Sequence, residues 1–120
     1  MARVLLVDDD PAILRLLEVN FRLEGFGVDA ASHGEEALAI ATATPPDVVV
    51  LDLMMPGMDG RELCHRLRGE AETASVPIVF LTARGRDETP EVDRTVVVAK
   101  PFDTVELIAT VRSLLETGAL

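Results

Sequence analysis

Acidic, hydroxyl and amino side chains follow four apolar runs of the sequence, at the points where buried strands would end. They are Asp8, Asp9 and Asp10 after VLLV, Asp52 after DVVVL, Thr82 after VPIVFL, and Lys100 after TVVVA. Neighbouring strands lie about 4.8 Å apart, and parallel sheets bind ligands outside the carboxyl ends of their strands. We therefore expect these side chains to converge on one small site.

These residue types favour phosphoryl transfer to a carboxylate. Clustered carboxylates repel each other, which raises some of their pKa values, and a hard cation such as Mg²⁺ relieves the repulsion through oxygen ligands. Asp52 can give one oxygen to the metal and keep the other as a nucleophile that becomes an aspartyl-phosphate. Thr82 supplies a hydroxyl donor and Lys100 a positive charge for the transferred phosphoryl oxygens.

Each of these residues also has an ordinary structural interpretation. Asp10 precedes Pro11, a pattern more typical of a helix N-cap than of a metal ligand. Taken singly, Thr82 would be a strand-end residue without a role, and Lys100 would be a surface lysine. The functional interpretation depends on all four kinds of group occurring together at carboxyl ends.

Composition limits the remaining classes of function. The 120 residues are 48% hydrophobic with a net charge of −10, which predicts one folded domain over residues 1–120 and argues against direct nucleic-acid binding. No apolar stretch is long enough for a membrane span, and the start lacks a signal-peptide pattern, so we expect a cytoplasmic protein. The single cysteine, Cys64, excludes an internal disulfide, and His33 and His65 belong to no ligand cluster.

The elements that position these groups alternate between strands and helices. The predicted strands are Val4–Val7, Phe26–Ala31, Asp47–Leu51, Val76–Leu81 and Thr95–Ala99. Strands that are apolar on both faces and alternate with helices indicate a parallel five-stranded sheet covered on both sides. With right-handed crossovers, this is a doubly wound α/β fold.

Four helix starts are recognisable, and the pattern of one crossover is not that of a normal helix. Asp10 and Asp103 are predicted N-caps, Ser32 with Glu35 matches a capping box, and Asp59-Gly60-Arg61-Glu62 begins a further helix. Residues 84–94, RGRDETPEVDR, contain only one large apolar residue, so they cannot bury a normal amphipathic face. We expect a short helix, a 3₁₀ turn or a loop there.

Four stretches of the chain resemble the receiver domain of two-component response regulators. They are VLLVDDD, DVVVLDLMMPGMDG, VPIVFLTA and AKPF, and the resemblance extends along nearly the full length. It implies the flavodoxin-like receiver fold with strand order 2-1-3-4-5.

The resemblance also implies roles for individual residues. Asp52 would be the phosphoacceptor, and Thr82 and Lys100 would bind the phosphoryl group. The Mg²⁺ ligands would be Asp8, Asp9, Asp52 and the backbone carbonyl of Met54, with Asp9 the more direct ligand of the acidic pair. The Lys100–Pro101 peptide bond would be cis, which is accessible for an X–Pro bond.

The chain departs from the receiver pattern before and within its fifth strand. The stretch between Thr82 and Lys100 is shorter than usual by roughly one helical turn, and Arg94-Thr95 stands where the family usually has Gly-Ala. Val97 occupies the switch position, where most members carry Tyr or Phe. Since valine is β-branched and stiff, we expect the usual threonine–aromatic switch to be absent.

The resulting prediction is a signalling receiver that takes a phosphoryl group from a sensor histidine kinase, a phosphotransfer protein or a small phosphodonor. It would catalyse its own phosphorylation as a switch and act on an output domain, a downstream protein or a second copy of itself as a homodimer. The alternative is a phosphorylation-independent interaction module on the same fold. An aspartyl phosphatase is disfavoured, because Met54 occupies the place of its general acid.

Overall fold

The computed structural model describes residues 1–83 and 94–117. The strands are β1 (Arg3–Val7), β2 (Gly27–Ala31), β3 (Val48–Asp52), β4 (Ile78–Thr82) and β5 (Thr95–Ala99). The helices are α1 (Pro11–Leu23), α2 (Gly34–Ala43), α3 (Gly60–Arg68) and α4 (Thr104–Thr117). Within these described ranges, no helix is both long and apolar enough to cross a membrane.

All five strands form one parallel sheet in the order β2-β1-β3-β4-β5. This confirms the predicted doubly wound fold and its strand order. The inner strands β3 and β4 are buried along their whole length, as expected for strands covered by helices on both faces.

The two faces of the sheet pack against different helix pairs, because alternate residues of each strand point to opposite sides. On one face, Leu5 and Leu51 pack with residues of α2 and α3, including Leu63. On the other face, Leu6 and Val50 pack with residues of α1 and α4. The carboxyl ends of the strands, which carry the predicted site residues, are therefore supported by a packed core on each face of the sheet.

The predicted N-caps Asp10 and Asp103 are confirmed, and the structure adds a third, Asp59. The Asp10 carboxylate accepts from the backbone N–H of Ala12 at 2.9 Å, the Asp59 carboxylate from Glu62 at 3.0 Å, and the Asp103 carboxylate from Val105 at 2.8 Å.

The predicted capping box at α2 was wrong by one residue. His33 is the N-cap, because its Nδ1 accepts from the Glu36 N–H at 3.3 Å, and Glu36 rather than Glu35 reaches back to the Ser32 N–H at 2.9 Å.

Strand boundaries differ from the predicted ones by one or two residues. The fourth strand begins at Ile78 rather than Val76, because Pro77 has no N–H to donate to the ladder; its carbonyl accepts from Val49 instead. The third and fourth strands each extend one residue further than predicted, so that Asp52 and Thr82 are their last residues.

The crossover predicted to be irregular, 84–94, lies outside the described residues except for its last position. Arg94 has a φ of +60°, a left-handed conformation that only glycine adopts without strain. The Arg94 carbonyl accepts from the Ile78 N–H at 2.9 Å, which fixes the entry into β5.

Candidate phosphoacceptor site

The strand order brings four of the predicted site residues together at the carboxyl ends of the strands. Asp8 follows β1, Asp52 ends β3, Thr82 ends β4, and Lys100 follows β5. These four strands are consecutive neighbours in the sheet, and all of them run in the same direction. The strand ends that were expected to converge are therefore neighbours in the sheet.

Lys100 bridges two of the carboxylates. Its Nζ lies 3.3 Å from Oδ2 of Asp8 and 3.4 Å from Oδ1 of Asp52. The backbone N–H of Lys100 donates to the carbonyl of Thr82 at 2.8 Å, so the β-ladder continues to the residue that carries the ammonium group. The Lys100–Pro101 peptide bond is cis, as the resemblance implies.

The two bridged carboxylates are held by backbone N–H groups as well. Asp8 is fully buried, and its Oδ1 accepts from the Asp10 N–H at 2.9 Å. Asp52 is also buried, and its Oδ1 accepts from the Met54 N–H at 3.3 Å. Each carboxylate is thus oriented by the residue two positions further along the chain.

Asp8, Asp9 and Asp52 form an acidic cluster suited to a divalent cation. Each offers a carboxylate oxygen, and these oxygens lie within 4.8 Å of one another. When ionised, the three carboxylates carry three negative charges, and the Lys100 ammonium compensates one of them. One Mg²⁺ ion would compensate the remaining two. Asp9 is exposed while Asp8 is buried, which leaves the Asp9 carboxylate the more open to a hydrated ion. Asp10 is the N-cap of α1 and is not part of the cluster.

Burial raises the pKa of the Asp52 carboxyl group, and the negative charge of Asp8 raises it further. The Lys100 ammonium and the Met54 N–H favour the ionised form, but they do not outweigh the first two causes. Without a bound metal ion, Asp52 is therefore a carboxylate whose charge Lys100 compensates incompletely.

The loop after β3 packs closely against the backbone of Asp52. A Cβ atom at Gly60 would lie 2.7 Å from the Asp52 carbonyl oxygen, so only glycine allows α3 to begin this close to the strand. Met55 and Met58 are buried, whereas Met54 is 46% exposed beside the acceptor. Gly60 therefore has a packing reason that the sequence pattern alone does not reveal.

Val97 lies opposite Phe80 in the ladder between β4 and β5. It is partly buried and packs against the core on the α2 and α3 face. The switch position is therefore filled by a short aliphatic side chain, as the sequence indicates.

Arg68 is a cross-link that the sequence analysis missed. From the last residue of α3, its Nη1 donates to the Val76 carbonyl at 2.7 Å and its Nη2 to the Arg94 carbonyl at 3.2 Å. It ties α3 to the entries of β4 and β5, at the opposite end of the strand that carries Lys100. In the sequence, Arg68 is only an arginine that follows Leu67 near the end of a predicted helix, and nothing indicates its distant partners.

The other candidate groups have structural roles or none at the site. Cys64 is buried in the core, and burial raises the pKa of its thiol. His33 caps α2, and His65 is exposed on α3.

The fold and this site define a receiver domain, and comparison with known proteins agrees. The response regulator receiver domain family matches residues 4–112, so the chain belongs to that family. It is 41% identical over 119 residues to the DNA-binding dual master transcriptional regulator RpaA of Synechocystis sp., covering 96% of this chain and 49% of RpaA. It is 44% identical over 117 residues to the response regulator PleD of Caulobacter vibrioides, covering 94% of this chain and 26% of PleD.

Solved structures show the same fold. The chemotaxis protein CheY4 of Vibrio cholerae superposes with a TM-score of 0.88 at 32% identity, covering 94% of this chain and 98% of that one. A response regulator from Chloroflexus aurantiacus gives a TM-score of 0.84 at 34% identity, covering 96% and 98%. The chain spans about half the length of RpaA and about a quarter of PleD, whereas it matches the CheY4 chain almost completely.

Proposed function

We propose that this chain, over residues 1–120, is a single receiver domain whose Asp52 accepts a phosphoryl group. The observation that supports the proposal most directly is the position of the Lys100 ammonium, within 3.4 Å of Asp52 and 3.3 Å of Asp8. A phosphoryl group on Asp52 would add negative charge beside this ammonium, which would stabilise the product.

The proposed cofactor is Mg²⁺, because the acidic cluster has oxygen ligands and two uncompensated negative charges that such an ion would neutralise. Asp9 and Asp52 would provide carboxylate oxygens, the Met54 backbone would provide its carbonyl, and Asp8 would assist from its buried position. The bound ion would neutralise charge on the transferred phosphoryl group.

The protein's own groups have distinct tasks in the proposed reaction. A carboxylate oxygen of Asp52 attacks phosphorus, forming a P–O bond while the bond from phosphorus to the donor breaks and the donor leaves with the electron pair. Asp52 must be ionised for this step, and Lys100 favours that state. Thr82, at the end of the neighbouring strand, would donate its hydroxyl to a phosphoryl oxygen, and Lys100 would hold another.

Mass spectrometry after incubation with acetyl phosphate and MgCl₂ tests this function. We expect one phosphoryl adduct on the wild-type chain, lost when EDTA replaces MgCl₂ and absent from Asp52→Asn. Asp103→Asn is a matched control, because Asp103 is a helix N-cap outside the site, and it should still be modified. No adduct on the wild type, or an adduct that persists in Asp52→Asn, would contradict the proposal.

We also propose that output does not use an aromatic side chain in β5, because Val97 is a partly buried aliphatic residue packed against the core. Amide NMR shifts with and without beryllofluoride and Mg²⁺ provide the test. We expect the largest shifts in the segments around Asp8, Asp52 and Thr82. A large shift field centred on residues 84–98 would contradict this proposal, since it would show that the usual surface still responds.

The proposed donors are a sensor histidine kinase or a phosphotransfer protein in the cytoplasm, besides small phosphodonors. The proposed recipient of the signal is an output domain, a downstream protein or a second copy of the chain. RpaA is described as DNA-binding, but this domain has a net charge of −10, so any DNA binding would belong to a separate output domain.

A further inference from the structure

An apolar groove opens directly beside the proposed acceptor site. Its volume is about 430 Å³, within the range of small-molecule sites, and its lining residues are Ile13, Leu16, Ala83, Lys100, Pro101 and Phe102. Except for Lys100, these side chains are apolar. Leu16 is 47% exposed, so a large aliphatic side chain on α1 faces solvent at this position.

The groove and the acceptor site are continuous through Lys100. The Lys100 ammonium contacts Asp52 at 3.4 Å, and the same residue lines the groove. Ala83, also in the lining, directly follows Thr82 at the end of β4. A donor whose phosphoryl group is held between Thr82 and Lys100 therefore has an apolar surface next to the rest of the molecule.

We propose that this groove binds the apolar acyl part of a small phosphodonor, so that the domain prefers aromatic acyl phosphates to acetyl phosphate. This inference rests on the proposed function of Asp52. In the reaction with benzoyl phosphate, a P–O bond forms to Asp52 and the P–O bond to the acyl oxygen breaks. Benzoate leaves with the electron pair, and no proton transfer is needed.

Charge and size both favour a neutral aromatic group as the occupant. The chain has a net charge of −10, which one bound Mg²⁺ ion does not cancel, so a donor with an anionic tail would be repelled. A ring has more apolar surface than the methyl group of acetyl phosphate, so it can remove more of the apolar lining of the groove, which includes Leu16 and Phe102, from water.

The test compares the rates of Asp52 phosphorylation by benzoyl phosphate and acetyl phosphate, each with MgCl₂, in three proteins. They are the wild type, Leu16→Gln, and the control Leu23→Gln. Leu23 is an exposed leucine on the same helix that does not line the groove. Dividing the ratio of the two rates in each variant by the wild-type ratio cancels the intrinsic reactivity of the donors.

In Leu16→Gln we expect the benzoyl-to-acetyl ratio to fall about threefold to tenfold. Leu23→Gln should keep the wild-type ratio. An unchanged ratio in Leu16→Gln, or an equal fall in Leu23→Gln, would overturn the groove proposal while leaving the acceptor function intact. If neither donor modifies Asp52 in the wild type, the proposed function fails together with the inference.

Binding without reaction gives a second, independent measurement. Phenylphosphonate and methylphosphonate carry the same charged group, but only the first has a ring. With MgCl₂ present, phenylphosphonate should bind several-fold more tightly and shift the amide signals of Leu16 and Phe102. Equal affinities of the two phosphonates, or ring-dependent shifts confined to residues outside the groove, would count against the proposal.

Discussion

The ammonium group of Lys100 lies 3.4 Å from the carboxylate of Asp52, which precedes it by 48 residues in the chain and lies two strands away in the sheet. The same ammonium contacts the fully buried Asp8 at 3.3 Å. Lys100 therefore compensates two poorly hydrated carboxylates at once. It has a structural task before any phosphoryl group arrives.

Removing the Lys100 charge should destabilise the fold. In Lys100→Met, Asp8 and Asp52 remain close together without their shared cation, and breaking such a buried pair costs about 3 kcal/mol. Lys100→Arg keeps the charge and should lose much less. Urea unfolding of the three proteins in EDTA measures the difference.

A second substitution separates electrostatics from packing in this experiment. Adding Asp52→Asn to Lys100→Met removes one of the two repelling carboxylates, so Asp52→Asn should stabilise the Lys100→Met variant by more than it stabilises the wild type. If the double variant is as unstable as the sum of the two single effects, the pair is not coupled and this explanation is wrong.

Lys100 is the single lysine of the sequence, so amine-reactive reagents should report on the site. Its side chain is 18% exposed and ion-paired, and we expect it to react with a succinimidyl ester more slowly than the N-terminal amine of Met1. Beryllofluoride with Mg²⁺ should slow the Lys100 reaction by a further factor of about ten, equal to about 1.4 kcal/mol of added contact. Peptide mass spectrometry follows both amines, and an equal slowing at Met1 would show that the effect is not local.

Asp52→Asn should stabilise the metal-free protein at neutral pH, by about 1 kcal/mol, a common size for one substitution. Burial and Asp8 raise the pKa of Asp52 in the folded state above the ordinary value of 3.8. The wild type therefore loses stability as pH rises from the unfolded-state pKa through the folded-state pKa. The advantage of Asp52→Asn should be complete above that window and disappear below pH 3.8. Urea midpoints in EDTA across pH measure it, and an advantage that does not change with pH would contradict this cause.

At position 94, glycine should make the folded protein more stable than alanine does. Because its φ is +60°, alanine there keeps the backbone strain and glycine relieves it. Comparing Arg94→Gly with Arg94→Ala removes the arginine side chain from both variants, and we expect the glycine variant to be about 1 kcal/mol more stable. Thermal unfolding measures the difference. The reverse order, the usual result at an ordinary strand position, would exclude this backbone conformation in solution.

Arg68→Ala should weaken the entry into β5. Its guanidinium donates to the carbonyls of Val76 and Arg94, and losing charged hydrogen bonds to such groups costs about 1.5–3 kcal/mol. Hydrogen exchange at Ile78, whose N–H donates to the Arg94 carbonyl, should become faster in the variant. Arg66→Ala is the matched control, because Arg66 lies on the same helix and pairs only with exposed Glu62 among the described contacts; it should leave that exchange unchanged.

Much of the fold and site followed from the sequence because strand burial is local information. Continuous apolar runs mark β3 and β4, so their ends locate Asp52 and Thr82 within one residue. A polar residue at such an end must meet its neighbours once the strands are parallel. The caps Asp10 and Asp103 were equally readable, since a carboxylate before a helix binds its own first turn.

Tertiary distances explain what the sequence did not reveal. The start of α2 shifted because His33, an uncommon N-cap, uses its Nδ1 as the acceptor. The contact of Lys100 with Asp8, as well as with Asp52, depends on the exact separation of β1 and β5. Arg68 reaches carbonyls in two other segments, and no local pattern encodes the reach of a long side chain.

The pairing of Asp8 with Lys100 joins positions 92 residues apart. During synthesis on a ribosome, the chain carries Asp8 and Asp52 long before the codon for Lys100 has been read. The ammonium can reach them only after β5 has emerged and added itself to the edge of the sheet. A nascent or truncated chain thus lacks the Lys100 ammonium, and the proposed acceptor site is complete only when translation of this domain is nearly finished.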